Sequence, residues 1–280
     1  MILDWKKCAS ELLNNIRKQI LQKNVVGKPM LVDVLVWDNP ASLAYIRMKE
    51  KRAHEVGMAF QMVHFPVDIT QVELENQVKK LSKDPNIHGL IVQAPLPKHI
   101  DTFQIIECID PAKDVDGFSR MQIGNVFLWQ NWLWSCTPKG IMTLLAYYDI
   151  TLSGKKVVVL GRSNIVGKPM SLMLINAWAT VTTCNSKTEN LSEITKEADI
   201  VIVAIGSPKF LTRDMVSTAS IVIDVGSNRL EDGSFCGDAD FADLSGFVSA
   251  ISPSPGWVGP MTVATLIENT WSAYQLQNRI

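Results

Sequence analysis

The sequence is short of the features that mark metal-binding, disulfide-linked, membrane-spanning and nucleic-acid-binding proteins. Its five cysteines form no C-x-x-C pair, so neither a disulfide framework nor a zinc site is expected. Its four histidines are isolated, and we expect no metal. No apolar run approaches the roughly 18 residues of a membrane span. The formal net charge of −1 argues against a nucleic-acid partner.

What is present is the composition of an ordinary globular enzyme. The chain has 280 residues, 47% hydrophobic and 20% charged, which predicts about two domains with a substantial core. The opening segment, MILDWKKCASELLNNIRKQI, favours an amphipathic helix over a signal peptide, because charges interrupt every apolar run. We therefore expect a cytoplasmic protein that does not bind membranes.

Two successive alternations of strands and helices predict an α/β fold with mostly parallel sheets. The first has strands at Met30–Trp37, Ala59–Pro66 and Gly89–Gln93. The second begins at Lys155, and its four short strands are typical of a Rossmann-type domain. They are predicted at Val157–Leu160, Thr180–Thr183, Ile200–Ala204 and Ile221–Val225.

These patterns predict two domains with a cleft between them. Residues 1–138 form an N-terminal, three-layer α/β domain, and a last helix within residues 262–280 packs back on it. Residues 139–261 form the Rossmann-type domain. The chain from Ile123 to Thr137 is predicted to be a loop.

The segment VVVLGRSNIVGKPM, residues 157–170, has the pattern of a strand, a tight turn and a helix. Gly161 ends the strand, Ser163 stands where the dinucleotide fingerprint usually has its second glycine, and Gly167 begins the helix. Such a turn holds a phosphate at the helix N-terminus. An ordinary crossover without a ligand has the same pattern, so the turn alone leaves both possibilities open.

The residues after the strand Thr180–Thr183 favour NADP over NAD. About 20 positions beyond the glycine turn, NAD enzymes normally carry an acidic residue for the ribose 2′-hydroxyl. Here the sequence reads CNSKT from Cys184, without an acid. The hydroxyl of Ser186 and the guanidinium of Arg162 suit a 2′-phosphate instead.

Several residues of the first half are candidates for chemistry. Tyr45 and Lys49 lie four apart on a predicted helix and share a face. A lysine held in a cleft serves as acid or base, although a solvated lysine beside a surface tyrosine has the same spacing. Gln93 ends a buried strand, where ligands of parallel sheets bind. Asp114 and Asp116 lie in a turn, and spacing does not decide whether either pairs with the N–C–N edge of a pterin.

Six motifs in order give the chain a family resemblance. They are YIRMK, GLIVQAPLP, PAKDVDGF, CTPKG, GRSNIVGKPM and PGWVGPMT. Over nearly its whole length the chain resembles bifunctional methylenetetrahydrofolate dehydrogenase/methenyltetrahydrofolate cyclohydrolase. The resemblance implies NADP-dependent oxidation of 5,10-methylenetetrahydrofolate to the methenyl compound and its hydrolysis to 10-formyltetrahydrofolate. It also implies a homodimer formed through the nucleotide domain.

The resemblance also implies roles for individual residues. Lys49 is the expected catalytic lysine, Gln93 the residue that tunes it, Tyr45 a folate contact and Asp116 the pterin anchor. The expected cofactor contacts are Gly161, Arg162, Ser163, Ser186, Ile205 and Gly206. The loop expected to cover the folate and the nicotinamide contains Pro255, Gly256 and Gly259.

The chain departs from the family pattern at several positions. Tryptophan stands where glycine is expected at Trp5, Trp37, Trp178 and Trp257. Asn185 replaces a histidine and Ser135 a proline. Two alternatives therefore stay open: a shikimate dehydrogenase-like reductase, which shares the two-domain plan, and a related protein that binds folate or nucleotide without turnover.

Overall fold

The computed structural model describes residues 1–23, 27–37, 39–130, 132–254, 256 and 258–279, without the side chain of residue 41. The chain divides into two compact units. The three-stranded unit comprises Ser10–Cys136 and Val263–Ile280, and the five-stranded unit comprises Met1–Ala9 and Thr137–Thr262. The sequence prediction placed the first nine residues in the other domain. They belong to the five-stranded unit because Ile2 pairs with Ile251 as a parallel bridge.

The three-stranded unit is built on a parallel sheet with the order β2-β1-β3. The strands are β1 (Met30–Val36), β2 (Ala59–Phe65) and β3 (Gly89–Val92). β1 is central, because Met30 pairs with Ala59 on one side and Leu31 with Gly89 on the other. The helices of this part of the chain are α1 (Trp5–Gln22), α2 (Pro40–Val56), α3 (Gln71–Lys83), α4 (Thr102–Ile106) and α5 (Arg120–Phe127).

The core of this unit lies between the sheet and α3 and α4. Val32 and Val34 of β1 pack in one buried cluster with Leu74 and Val78 of α3 and Ile105 of α4. Thr70 and Glu73 begin α3 with reciprocal side-chain-to-backbone hydrogen bonds. Alternate residues of β1 thus pack one face of the sheet against helices, and the residues between them, such as Asp33, point to the other face.

The last helix, α10 (Gly259–Asn278), is anchored in the three-stranded unit from Val263 onward. The side-chain amide of Asn269 donates to the carbonyl oxygens of Val115 and Trp134, both at 2.8 Å. Thr265 donates to the carbonyl of Cys136 at 2.9 Å. These bonds satisfy the buried backbone of the loop that carries Asp114 and Asp116.

The five-stranded unit has a parallel sheet with the order β10-β7-β6-β4-β5. Its strands are β4 (Lys156–Leu160), β5 (Thr180–Cys184), β6 (Ile200–Val203), β7 (Ile221–Asp224) and β10 (Ala250–Ile251). Its helices are α6 (Cys136–Tyr147, from Thr137 onward), α7 (Gly167–Asn176), α8 (Leu191–Lys196) and α9 (Phe241–Leu244). A short hairpin pairs β8 (Asn228–Arg229) with β9 (Phe235–Cys236).

The predicted two-domain α/β fold with parallel sheets is confirmed, and two local expectations are wrong. The sequence predicted a loop from Ile123, but α5 runs to Phe127. The Ser119 hydroxyl accepts the backbone N–H of Gln122 and begins this helix, a cap that the apolar pattern alone did not reveal. The fifth strand, β10, has only two residues and no pattern of its own. No described helix is long and apolar enough to cross a membrane.

Candidate active site

Lys49 lies at the centre of a polar cluster in the three-stranded unit. It is on α2 and only 4% exposed. Its Nζ donates to Oε1 of Gln93, at the end of β3, at 2.7 Å, and to Oδ2 of Asp33, on β1, at 3.0 Å. The structure therefore brings together Lys49 and Gln93, as the family resemblance implies, and adds a carboxylate.

Asp33 was missed by the sequence analysis. Its side chain is fully buried, in a strand that reads MLVDVLV. A single acidic residue inside an apolar strand was the available signal, because a buried charge requires a partner. Burial raises the pKa of the Asp33 carboxyl, and the charge of Lys49 lowers it in part.

Tyr45 lies one helical turn before Lys49, as their spacing predicts. Nζ of Lys49 lies 5.1 Å from the centroid of the Tyr45 ring, a distance suited to a cation–π contact. The ring is partly exposed, so one face of the cluster is open to a planar ligand. The arrangement places an ammonium beside an aromatic surface on which a flat heterocycle can stack.

Asp114 and Asp116 have different surroundings. Asp114 accepts the backbone N–H of Gly117 at 3.0 Å and of Ser119 at 2.8 Å, and it holds the turn together. Burial raises the pKa of Asp114 to about 6. Asp116 is electrostatically coupled to Lys49, and its side chain bonds Cys136. Burial raises the pKa of Asp116, Lys49 lowers it and Asp33 raises it. The structure thus brings Asp116, and not Asp114, to the lysine.

Gly117 explains why the turn ends in D-G. Its φ is +73°, and a Cβ there would lie 2.5 Å from the backbone nitrogen of Ser135. The backbone of the turn therefore packs directly against the segment that precedes α6. A larger residue would displace that segment and, with it, Asp116.

In the five-stranded unit, the predicted glycine turn joins β4 to α7. Gly161 has a φ of +119°, and a Cβ on it would overlap the carbonyl oxygen of Ala204 after β6. The Oγ of Ser163 accepts the N–H groups of Val166 at 3.2 Å and Gly167 at 3.3 Å, and so begins α7. Ser163 therefore shapes the turn by accepting two backbone N–H groups at the start of α7.

The predicted 2′-phosphate contacts lie at the carboxyl ends of neighbouring strands. Arg162 follows β4, and Ser186 follows β5, which pairs with β4 in parallel register from Lys156–Thr180 to Leu160–Cys184. Both side chains are exposed. The side chain of Asn185, at the position usually histidine, accepts the backbone N–H of Lys187 at 3.0 Å. No acid follows β5 before Glu189.

Ile205 and Gly206 belong to a loop held by a buried aspartate that the sequence analysis missed. Asp238 is fully buried, and its carboxylate accepts the backbone N–H groups of Ile205 at 2.6 Å, Gly206 at 2.9 Å and Ser207 at 3.0 Å. Asp224, at the end of β7, accepts the N–H of Asp238 at 3.0 Å. Burial raises the pKa of Asp224 to about 6.

The loop before α10 is described only in part. Gly256 has a φ of +153° and lies against Pro253, and Gly259 begins α10 with open space where a Cβ would be. Pro255 and Trp257 lie outside the described residues. In the described part of the chain, no group of three His, Cys, Asp or Glu residues has the geometry of a metal site.

Two family models match the chain. The model for the tetrahydrofolate dehydrogenase/cyclohydrolase catalytic domain matches residues 3–116, and the model for the NAD(P)-binding domain of the same family matches residues 135–278. Together they cover both units, including the Lys49 cluster and the Gly161 turn.

Relatives match over almost their entire length. The chain is 48% identical over 274 residues to the bifunctional protein FolD of Nautilia profundicola, covering 97% of this chain and 96% of the relative. It is 43% identical to the bifunctional methylenetetrahydrofolate dehydrogenase/cyclohydrolase of Campylobacter jejuni, with a TM-score of 0.96 over 100% and 99% of the two chains. The Trypanosoma brucei enzyme, solved with NADP and an inhibitor, is 30% identical, with a TM-score of 0.94 over 100% and 99%.

Proposed function

Since the chain belongs to the tetrahydrofolate dehydrogenase/cyclohydrolase family, we propose that it catalyses two consecutive reactions. The first is NADP-dependent oxidation of 5,10-methylenetetrahydrofolate to 5,10-methenyltetrahydrofolate, and the second is hydrolysis of that product to 10-formyltetrahydrofolate. The observation that carries the proposal is the buried contact between Lys49 and Gln93 within a chain that matches the family from end to end.

In this proposal each unit binds a different ligand. The folate substrate binds at residues of the three-stranded unit, with Asp116 as the pterin anchor and Tyr45 as the stacking surface. A carboxylate pairs with an N–C–N edge through two parallel hydrogen bonds, which fixes the orientation of the ring. The nucleotide binds to the five-stranded unit. We propose residues 1–138 with 262–280 as the folate domain and residues 139–261 as the nucleotide domain, although residues 1–9 pack with the five-stranded unit.

The residues of the glycine turn fit an NADP molecule. Arg162 and Ser186 are exposed on adjacent strand ends, where a guanidinium and a hydroxyl bind a 2′-phosphate. Gly206 leaves open space where a side chain would stand. Gly161, Ser163 and Ile205 complete the surface, and NADP⁺, when bound, accepts the hydride. The family resemblance further implies that Pro255, Gly256 and Gly259 contact the folate substrate.

The hydrolytic reaction requires a proton carrier, and Lys49 is suited to that role. Loss of a hydride from the methylene carbon leaves a cationic methenyl product. Water then forms a C–O bond to that carbon as the C=N π pair returns to nitrogen, and one of its protons passes to the Nζ of Lys49 while Gln93 holds the amine. The C–N5 bond next breaks as N5 takes that proton from Nζ, and the remaining hydroxyl proton leaves to solvent as the formyl C=O forms. Buried surroundings strengthen both contacts, because few water molecules compete for them.

A coupled assay tests this function. Purified protein is mixed with 5,10-methylenetetrahydrofolate and either NADP⁺ or NAD⁺, and the absorbance of the methenyl compound is followed as it forms and decays. We expect formation that depends on NADP⁺, followed by enzyme-dependent decay. Binding without any absorbance change would support the non-catalytic alternative. The shikimate alternative predicts turnover of shikimate, which the same instrument measures.

We further propose a cytoplasmic homodimer formed through the nucleotide domain. The family resemblance supports this assembly and location, and the two proposed reactions require no nucleic acid or membrane. Sedimentation equilibrium of the purified protein tests the dimer, and a mass of one chain at micromolar concentration would contradict it. Fractionation of source cells tests the location.

A further inference from the structure

Asp33 lies against the catalytic machinery, and the proposed function gives it no role. Its neighbours across the sheet are apolar, Met62 of β2 and Ile91 of β3, so the sheet itself gives the carboxylate no charged partner. One oxygen, Oδ2, accepts from Nζ of Lys49 at 3.0 Å. The other, Oδ1, is buried without a hydrogen-bond partner among the described residues. A buried ion pair with a free oxygen contributes little to stability, which favours a functional reason for it.

The geometry around Nζ gives that reason. A lysine Nζ has three positions for hydrogen. Asp33 and Gln93 accept from two of them, at 3.0 and 2.7 Å. The third position carries a hydrogen when the lysine is an ammonium ion and a lone pair when it is an amine. The two acceptors therefore orient the one position that can give or take a proton.

Two carboxyl groups lie near the Nζ of Lys49. The groups that face Nζ are Asp33 on β1, Gln93 after β3, Asp116 in the following turn and the ring of Tyr45 on α2 itself. Cys136 bonds Asp116 from the start of α6. Two carboxyl groups thus act on one lysine, and only Asp33 bonds it directly. A carboxylate at this distance favours the protonated form of the amine.

We propose that Asp33 is a positioning residue for the cyclohydrolase reaction. With Gln93 it fixes two N–H directions of Lys49, and its carboxylate lies beside the Nζ that accepts a proton in the reaction. In the reaction, a C–O bond forms between water and the methenyl carbon as the C=N π pair returns to nitrogen, and an O–H bond of that water breaks. The proton goes to Nζ, from which it reaches N5 when the C–N5 bond later breaks. The carboxylate of Asp33 then balances the new positive charge. This role rests on the proposed function.

The test is the pH dependence of hydrolysis in Asp33→Asn. Asparagine keeps the size and one acceptor but removes the charge. We expect the pH profile of kcat/KM for hydrolysis to move to lower pH by about one unit, while the pH profile of NADP⁺ reduction stays in place. Asp68→Asn, an exposed aspartate of the same unit, is the matched control and leaves both profiles unchanged.

The outcomes distinguish a failure of the role proposed for Asp33 from a failure of the proposed dehydrogenase and cyclohydrolase function. An unmoved hydrolysis profile in a folded Asp33→Asn protein overturns the role of Asp33 and leaves the function intact. Wild-type protein without either activity overturns both. If Asp33→Asn does not fold, Asp33→Thr keeps a hydrogen-bonding group that suits a strand and gives the same comparison. Failure of both variants to fold would make Asp33 a structural residue and also overturn the proposal.

A second inference comes from the ends of two helices. In α7, the N–H of Trp178 donates to the carbonyl of Ile175 and that of Ala179 to Leu174, both at 3.0 Å. In α5, the N–H of Trp129 donates to Val126 at 3.2 Å and that of Gln130 to Asn125 at 2.8 Å. Both are Schellman motifs, whose central residue is left-handed and usually glycine. The φ angles of Trp129 and Trp178 are +54° and +64°.

Other helices of this chain show which residues such a position normally takes. The same pair of hydrogen bonds ends α2 at Gly57, with a φ of +94°, and α6 at Asp149, with a φ of +53°. Glycine and aspartate tolerate that conformation, whereas a bulky aromatic residue is an outlier there. Trp37, after β1, is a third case, with a φ of +67°. Three of the seven tryptophans that the structure describes have this conformation.

The side chain of Trp178 makes too little buried contact to offset the unfavourable conformation of its backbone. It is 81% exposed, so burial does not offset the strain. Trp271 differs in every respect: it is buried, stacks on Tyr274 and donates to Gln19 at 2.8 Å. Packing therefore requires Trp271, whereas the backbone conformation opposes Trp178. Trp37 donates to the carbonyl of Pro95 at 3.3 Å and Trp129 stacks on Trp134, but both have the same unfavourable φ.

We infer that Trp37, Trp129 and Trp178 are glycine in the protein that the source organism makes. The codon UGA is translated as tryptophan in some genetic codes and as glycine in others, and a sequence translated with the wrong code would carry tryptophan at glycine positions. The same reading extends to Trp257, in the loop expected to cover the substrate, and restores a glycine there.

The gene sequence tests this inference directly. We expect UGA at codons 37, 129 and 178 and UGG at codon 271. Peptide masses of the protein from its own cells should show glycine at the first three positions. In protein expressed with tryptophan, Trp178→Gly should raise the unfolding temperature by a few degrees, and Trp271→Gly should lower it. UGG at codons 129 and 178, or tryptophan in the native peptides, overturns the inference.

Discussion

The side-chain oxygen of Gln93 lies 2.7 Å from the Nζ of Lys49, closer than the carboxylate of Asp33 at 3.0 Å. The amide of Gln93 is itself fixed, because its Nε2 donates to the carbonyl of Ala94 at 2.6 Å. The orientation of the amide is therefore set by the backbone after β3, and the orientation of the lysine is set by the amide.

Replacing Gln93 by leucine should slow hydrolysis more than it affects folding. A hydrogen bond to a charged group contributes about 1.5–3 kcal/mol, so we expect a loss of roughly ten-fold or more in kcat for hydrolysis. Gln61→Leu, on the exposed side of β2, is the matched control. Equal rates for Gln93→Leu and wild type in the methenyl decay assay would show that the amide does not act on Lys49.

Lys49→Met should remove the proton carrier while keeping a side chain of similar length. General acid–base groups contribute about 10²–10⁴-fold, and we expect a loss of hydrolysis in that range. Lys51→Met changes an exposed lysine of the same helix and should leave the rate unchanged. Hydrolysis at the wild-type rate in purified Lys49→Met would refute the catalytic role of this residue.

The preference for NADP⁺ should depend on Arg162 and Ser186. Arg162→Ala removes a charged contact to the 2′-phosphate and should raise KM for NADP⁺ by roughly ten-fold or more, with little change for NAD⁺. Ser186→Asp should lower the NADP⁺/NAD⁺ ratio of kcat/KM further by repulsion. Lys155→Ala, at the opposite end of β4, is the control. A wild-type enzyme with higher kcat/KM for NAD⁺ would contradict the premise.

The free energy of unfolding should depend on pH through the titration of the Asp114 carboxyl. Burial raises the pKa of this carboxyl to about 6, above the value in an unfolded chain. The folded state therefore takes up a proton at higher pH than the unfolded state, and stability rises as pH falls from about 7.5 to about 5. Relative to Asp114→Asn, the wild type should gain about 1 kcal/mol over this interval.

Urea denaturation at several pH values measures this difference. Asp114→Asn also loses an acceptor for the amides of Gly117 and Ser119, so only the change with pH, and not the offset between the proteins, reports the titration. Asp68→Asn serves as the exposed-carboxyl control. Parallel curves for wild type and Asp114→Asn would contradict a raised pKa.

The residues of the candidate site that the sequence predicted are those with a fixed local spacing. Tyr45 and Lys49 share a face because a helix places residues four apart on one side, and Gln93 follows a buried strand whose pattern is plain. The glycine turn after β4 is found for the same reason. Local periodicity was enough in these cases, because each element depends mainly on its own sequence.

Asp33 and Asp238 were missed because their roles depend on contacts distant in sequence. Asp33 is 16 residues from Lys49, and Asp238 is 33 residues from Ile205. A buried carboxylate is stable only where donors from other elements converge, and one-dimensional patterns contain no record of that convergence. Local patterns likewise contain no sign that Ile2 joins the five-stranded sheet through a bridge to Ile251.

The carboxylate of Asp238 has a consequence for the polarity of the nucleotide surface. Three successive amides, those of Ile205, Gly206 and Ser207, point inward to this one side chain. The backbone of the loop therefore has no free N–H for a ligand and can offer only its carbonyl oxygens. Such a surface accepts hydroxyl or carboxamide hydrogens and disfavours phosphate oxygens, so it selects which end of a dinucleotide it meets.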